Sequence, residues 1–390
     1  MKRLVVGLLV GMLSIAPVSV RAAEPYEINV ILSLSGIAAF IGTQEATSLR
    51  ALEAVENKAG GINGRPIKFV IVDDASNPVN AVQLANQIIA KKVPLLLGPT
   101  LTADCDAVYS IVKNEGPVEY CFSPALHPTP GSFGFSAGAS TADLSRAAMR
   151  YFRERGWTRI ALISSTDASG QDGENVVRAN LALPENKSLT LVANEHFGIA
   201  DVSVGAQLAR IKAADPQAII AWTTGTPTGT VLRGLHDAGI DLPVLLNAGN
   251  IVRAQLRGYA SFAPTQLFLP GFRFMAPDLV RSGPLKDAQN AFFDGLAAAK
   301  VTPEVNMSFA WDPARVVINI LRHLPPNPTA LQVKDGIEAT HGISGVNSLL
   351  DYRDGSQRGV PISAVVVIRW DGAKDTFVPV SEPGGLPLKK

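Results

Sequence analysis

Ile28-Asn29-Val30-Ile31-Leu32, broken by Ser33-Leu34-Ser35-Gly36, opens the stretch on which the reading of this 390-residue chain turns. The first run is short, apolar and rich in β-branched residues, the pattern of a buried strand. Beyond Gly36 the period changes: Ala46, Leu49, Leu52 and Val55 fall on one face of a helix. Gly60-Gly61-Ile62-Asn63-Gly64-Arg65 ends that helix, because glycine and asparagine accept the left-handed backbone that a helix end and turn require. Residues 67–72 form a second strand, closed by Asp73-Asp74. Strand, helix and strand within about 50 residues make a βαβ unit, whose crossover is right-handed in a parallel sheet.

The same grammar continues. Asn77-Pro78 starts a helix, since proline's missing amide hydrogen has no partner in a first turn anyway. Strands follow at 93–97 and 117–121, with a helix over 103–113 between them. A second set begins with a helix at 143–155 and places strands at 159–164, 189–194, 218–222 and 243–246. A short strand at 267–269 precedes Pro270-Gly271, read as a crossing back to the first unit. Helices at 284–299, 309–321 and 330–338 come next, and a last strand at 363–369 returns to the second unit. The fold class is therefore α/β, with two units built on buried strands.

Composition is that of an ordinary globular chain, 47% hydrophobic and 18% charged, with a net charge of +1. That balance offers neither a nucleic-acid surface nor a polybasic membrane anchor. Lys2 and Arg3 precede an apolar run over 4–15, and Val20-Arg21-Ala22 places small residues at a cleavage point. This is the pattern of a secretory signal peptide over residues 1–22, because a run of about 12 residues is too short to span a bilayer. The mature chain is expected outside the cytoplasm without stable membrane insertion. Cys105 in the first turn of a helix and Cys121 at the end of the next strand are expected to form a structural disulfide, as neighbouring elements of a βαβ unit can bring them close enough.

Motifs that suggest catalysis have simpler readings. Asp73 and Asp74 are adjacent on a strand end and point apart, so they are expected to cap a helix and fix a loop. Gly60, Gly61 and Gly64 follow a helix instead of opening one and lack a phosphate-loop lysine. Ser110 and Lys113 match S-x-x-K without the partner motifs of serine acylases. The five histidines, His127, His196, His236, His323 and His341, show no metal-ligand spacing. Neither an enzyme nor a metal or cofactor is expected.

The run LSLSG followed by Gly42, then AGGINGRPI and VDDASNP, resembles the periplasmic substrate-binding proteins of ABC importers, of the branched-chain amino-acid-binding type. The resemblance implies a type I periplasmic binding protein: two Rossmann-like lobes with parallel central sheets, joined by a hinge of several crossovers. On that frame residues 23–142 with 272–360 form the N-terminal lobe, 143–271 with 361–380 the C-terminal lobe, and 381–390 a tail. Ligand would bind at the carboxyl ends of the strands, between the lobes. This directs attention to Ser35, Thr102, Ala125, His127, Ser169, Thr224 and Asn250 in loops, to Phe40, Ile41 and Phe272 as an apolar side, and to Asn306. Phe274 is a further candidate for the apolar side, and Arg273 beside the crossover is a candidate to fork a carboxylate. Thr102 leads, because it sits at a helix N-terminus that favours a carboxylate, where the family places a hydroxyl.

The amino-acid binders carry a tyrosine where Ser169 stands, another aromatic near Thr224, and an acid close to Gly249-Asn250. Asn247-Ala248-Gly249-Asn250 has no carboxylate, and a buried ammonium without a counter-charge is costly. The expected ligand is thus a small apolar or aromatic carboxylate, with a branched-chain amino acid as the runner-up and an amide or urea behind it. Expected partners are ABC permease subunits, and the expected state is a monomer. A sensory module is the competing role.

Overall fold

The computed structural model describes residues 23–280 and 282–389, so the expected signal peptide lies outside the described residues. The first sheet takes β1 (Tyr26–Leu32), β2 (Ile67–Asp73), β3 (Leu95–Leu97), β4 (Val118–Cys121) and β5 (Gly134–Ser136). All its pairings are parallel, in the order β2-β1-β3-β4-β5. Helices α1 (Ala39–Lys58), α2 (Pro78–Ala90) and α3 (Thr102–Val112) make its crossovers. Asn77 caps α2 through Val79 N and Asn80 N, and Pro78 holds the first helical position. The capping expected of Asp73 and Asp74 therefore belongs to Asn77. Asp73 instead ties the loop after β1, accepting from Leu34 N at 2.8 Å, Ala75 N at 2.8 Å and Ser35 Oγ at 2.7 Å.

The second sheet is entered through α4 (Thr141–Glu154). It contains β6 (Arg159–Ser165), β7 (Thr190–Phe197), β8 (Ala218–Trp222), β9 (Val244–Leu246) and β10 (Leu267–Phe272), with α5 (Ala168–Leu181), α6 (Gly205–Ala213), α7 (Pro227–Asp237) and α8 (Arg253–Gly258) between them. The chain then passes through α9 (Pro284–Ala298), α10 (Val305–Leu321), α11 (Ala330–Glu338) and the antiparallel pair β11 (His341–Ser344) and β12 (Leu349–Asp351). Helices α9 and α10 pack on α1, and α11 on β4, so this passage returns to the first sheet. Finally β13 (Val365–Asp371) and β14 (Thr376–Pro379) join the second sheet, whose order is β14-β13-β10-β9-β8-β6-β7. The chain thus crosses between the sheets three times, the architecture of a hinged two-lobe type I periplasmic binding protein.

Three expectations need correction. The strand expected at 267–269 runs on to Phe272, and the crossing follows it. Pro270 is tolerated because β9 pairs only with Leu267 and Phe268, leaving Pro270 with Val367 of β13 on one side alone. Within the otherwise parallel second sheet β13 runs antiparallel to β10, and β14, antiparallel to β13, turns back to the direction of the rest. Helix α10 begins at Val305, not 309, and carries Pro313 inside it. Fifteen of its seventeen residues are buried, so its surroundings, rather than local propensity, hold it in shape.

Candidate ligand-binding site

Parallel strands deliver their following loops to the same edge of each sheet, and the two edges face one another. The loop after β3 is Gly98-Pro99-Thr100-Leu101, and it leads directly into α3. Leu101 occupies the N-cap position and has no side-chain oxygen to offer, so the first amides of α3 have no side-chain cap. Thr102 is the first helical residue rather than the cap, and its Oγ1 lies 2.9 Å from Ser123 Oγ in the loop after β4. The Cys105–Cys121 disulfide ties this helix to β4, with the Cα atoms 5.8 Å apart. One wall is thereby fixed.

A cavity lies against that wall, with room of about 40 Å3 for the centres of water-sized molecules. From the first sheet's side it is lined by Ile41 and Glu45 of α1, Thr100 to Thr102, and Phe122 to Ala125. From the second come Thr141 and Leu144 of α4, Ser169 of α5, Trp222 at the end of β8, Thr224 just after it, and Asn247 to Gly249 after β9. Asn306 and Phe309 of α10 complete it. Three polar groups of the second side are already paired among themselves, while Thr141 Oγ1 is buried without a partner among the described residues. Ser169 Oγ is 2.7 Å from Thr224 Oγ1, which also accepts from Asn247 Nδ2 at 2.8 Å.

The lobes touch around this cavity. Thr226 N donates to Ile37 O at 3.2 Å, and Asn306 Nδ2 donates to Gly249 O at 3.3 Å. His127 Nε2 lies 2.5 Å from Asp172 of α5. Arg358 braces the His127 loop from behind, donating to Pro124 O at 2.7 Å and to Leu126 O. This is a closed arrangement.

Of the residues singled out from the sequence, Ile41, Thr102, Ala125, Ser169, Thr224 and Asn306 line the cavity. Phe40 does not; it is 45% exposed, because the next residue, Ile41, takes the inward position of α1. Ser35 is exposed and held by Asp73. His127 stands at the junction with Asp172 instead of in the lining. Asn250 is buried beneath the loop, donating to Thr223 O at 2.7 Å and accepting from Thr228 Oγ1 at 2.9 Å. Phe272 is buried behind the cavity, edge-on to Phe309 at 5.4 Å, while Phe274 packs on Phe292 and Phe293. Arg273 also lies outside the lining.

Glu45 was missed, although a signal existed. It lies at i−4 from Leu49 and therefore on the buried stripe Glu45, Leu49, Leu52, Glu56; Ala46 and Val55, expected inward, are only half-buried. Thr100 Oγ1 donates to Glu45 Oε2 at 2.5 Å, and burial pushes the Glu45 carboxyl up to about 8. Behind it, burial and neighbouring Asp74 push Asp104 up to about 8 as well. Both groups hold protons in the folded chain that an unfolded chain releases at about pH 4. Their contribution to the stability of the empty protein should therefore be fully present below about pH 4 and be lost as pH rises towards 8, the window in which the unfolded state binds fewer protons. Thermal unfolding at low salt should give a lower Tm at pH 8 than at pH 5.5, with a flatter profile for Asp104→Asn. A Tm that climbs over this interval would contradict the assignment. Among the described residues the only metal-ligand grouping is Cys105, Glu119 and Cys121, and its sulfurs are bonded to each other.

Comparison with known proteins accords with this geometry. The family model for periplasmic binding proteins matches residues 25–375. The leucine-, isoleucine-, valine-, threonine- and alanine-binding protein of Pseudomonas aeruginosa is 26% identical over 225 residues, 56% of this chain and 59% of that protein. The chain spans about three fifths of the length of the curated relatives it matches. Among solved structures, an isoleucine complex of a branched-chain amino acid transporter substrate-binding protein from Streptococcus pneumoniae aligns with a TM-score of 0.74 at 18% identity, covering 92% of this chain and 99% of that one. A benzoate complex of an ABC-transporter solute-binding protein from R. palustris aligns equally well, at 0.74 and 16% identity, covering 94% and 98%. At these identities the structures speak for the fold.

Proposed function

The chain belongs to the periplasmic binding protein family, a family of periplasmic solute receptors rather than of enzymes, and from that premise we propose that it captures a small apolar α-amino acid between its lobes and presents it to an ABC permease. One observation carries the reading: the uncapped N-terminus of α3 opens onto the cavity beside the Thr102 and Ser123 hydroxyls. Free amides and the positive end of a helix dipole suit a carboxylate. Ile41, Leu144, Trp222 and Phe309 supply apolar surface for a short side chain. Trp222 brings an aromatic into the region of Thr224, where the amino-acid binders carry one. The curated relatives bind aliphatic amino acids by name, which ranks an amino acid above the carboxylate favoured by sequence alone.

A plain carboxylate is the second reading, supported by the absence of an acid in Asn247–Asn250 and by the benzoate-bound structural relative. Closure follows from ligand contacts made by both lobes at once. A thermal-shift panel on ligand-stripped protein tests the proposal. Leucine, isoleucine, valine, threonine or alanine at a hundred times its Kd should add about 2.7 kcal/mol of stability. A shift with benzoate or 4-methylpentanoate, and none with any amino acid, would replace this reading by the second.

A further inference from the structure

We infer that Glu45 is the counter-ion for the ligand's ammonium group, and that the amino acid enters by displacing a proton from it. The inference rests on the amino-acid reading above. Among the described residues Glu45 is the only ionisable side chain in the cavity lining, and it is 1% exposed. One of its oxygens accepts from Thr100, while among the described residues nothing donates to the other. Thr100 stands two residues before the first residue of α3. An acceptor for a cation and free amides for a carboxylate thus share one wall, as the two charges of an α-amino acid require.

The surroundings explain the proton. The acids facing Glu45 are Asp74 at the turn after β2, with Asp104 of α3 behind it, and among the described residues no cation lines the cavity. The Arg253–Glu304 ion pair, 3.5 Å apart, bears on neighbouring Gln44 through Glu304. Burial holds the Glu45 carboxyl near 8, so at neutral pH the empty site keeps it neutral. An arriving ammonium favours the carboxylate; the O–H bond breaks, the proton leaves to solvent, and an ion pair remains.

Isothermal titration of ligand-stripped protein with leucine, valine, threonine and alanine tests this, in two buffers of different ionisation enthalpy between pH 6 and 8. The bound amino acid should release close to one proton near pH 7, and its affinity should rise by up to about tenfold per pH unit below 8. Glu45→Gln, which mimics the neutral acid and keeps an acceptor for Thr100, should weaken the amino acid at least tenfold and abolish both proton release and pH dependence. The same variant should hold 4-methylpentanoate within about threefold of wild type, evidence that the cavity is intact. Amino-acid binding unchanged in Glu45→Gln, or without proton release, would overturn this inference alone. Failure of every amino acid to bind the wild type would overturn it together with the function proposed above.

Discussion

Replacing Gly225 by alanine is expected to weaken ligand binding by about a hundredfold, or roughly 2.7 kcal/mol, while leaving both lobes folded. Gly225 lies in the loop between β8 and α7 with φ of +81°, and a Cβ there would stand 2.4 Å from Ile37 O in the opposite lobe. Neither side can yield cheaply. Asn250 Oδ1 accepts from Gly225 N at 3.3 Å, and Gln255 Nε2 donates to Gly225 O at 2.7 Å. On the facing lobe, Ala38 N donates to Ser76 Oγ at 3.2 Å beside the obstructed carbonyl. The overlap is present only when the lobes are shut, so it penalises the closed state selectively, and a ligand that needs that state loses affinity by the same factor.

Backbone strain alone would not do this. An alanine at positive φ costs about 1–2 kcal/mol in open and closed forms alike. Gly239→Ala is the control, because φ there is +62° and nothing lies within 4 Å of the added Cβ. It should lose stability and keep its Kd. Titration calorimetry reads the affinity, and small-angle scattering reads whether ligand still contracts the molecule. A Gly225→Ala protein that contracts fully with a Kd near wild type would show that this contact does not limit closure.

The same loop marks the boundary of what the sequence could disclose. The first four strands of the first sheet were legible because short apolar runs of the right length alternate with helix-period segments, and each was closed by glycine, proline or aspartate; β5 was not among the expected strands. Thr102, Ser169 and Thr224 were legible as cavity residues for a topological reason: parallel strands leave their following loops at one edge. Glu45 was not, because one position on a helix turns a side chain by about 100°, and a stripe drawn through Ala46 rather than Glu45 hides the carboxylate. Phe40 erred by the same single step. Loop residues failed differently. Ser35, His127 and Asn250 occupy the expected loops, yet each is bound to a partner far away in sequence: Asp73, Asp172 and Thr223 respectively. Which loop residue points inward depends on such partners, and periodicity carries no trace of them.

Removing the disulfide with Cys105→Ala and Cys121→Ala should cost about 3 kcal/mol of stability, the loop-closure entropy restored to an unfolded chain by opening a ring of this size. The bridged residues are 16 apart in sequence, and both are fully buried. Urea unfolding should show a lower midpoint with a slope unchanged or slightly raised, since opening the ring exposes a little more of the unfolded chain. Affinity should suffer as well. The bridge anchors α3 to β4, and the two groups proposed to meet the ligand's carboxylate sit on either side of it, Thr102 on the helix and Ser123 two residues beyond Cys121. Without the tether their spacing is held only by packing of Leu126 and Tyr109 around the former bridge and by the Thr102–Ser123 hydrogen bond. Part of the order needed at the site must then come from binding itself, so Kd should rise several-fold. Wild-type protein treated with reductant should follow the variant in both respects. A stability loss below about 1 kcal/mol would place the bridge's contribution outside the entropic account, and an unaltered Kd would mean that the wall is set by the sheet alone.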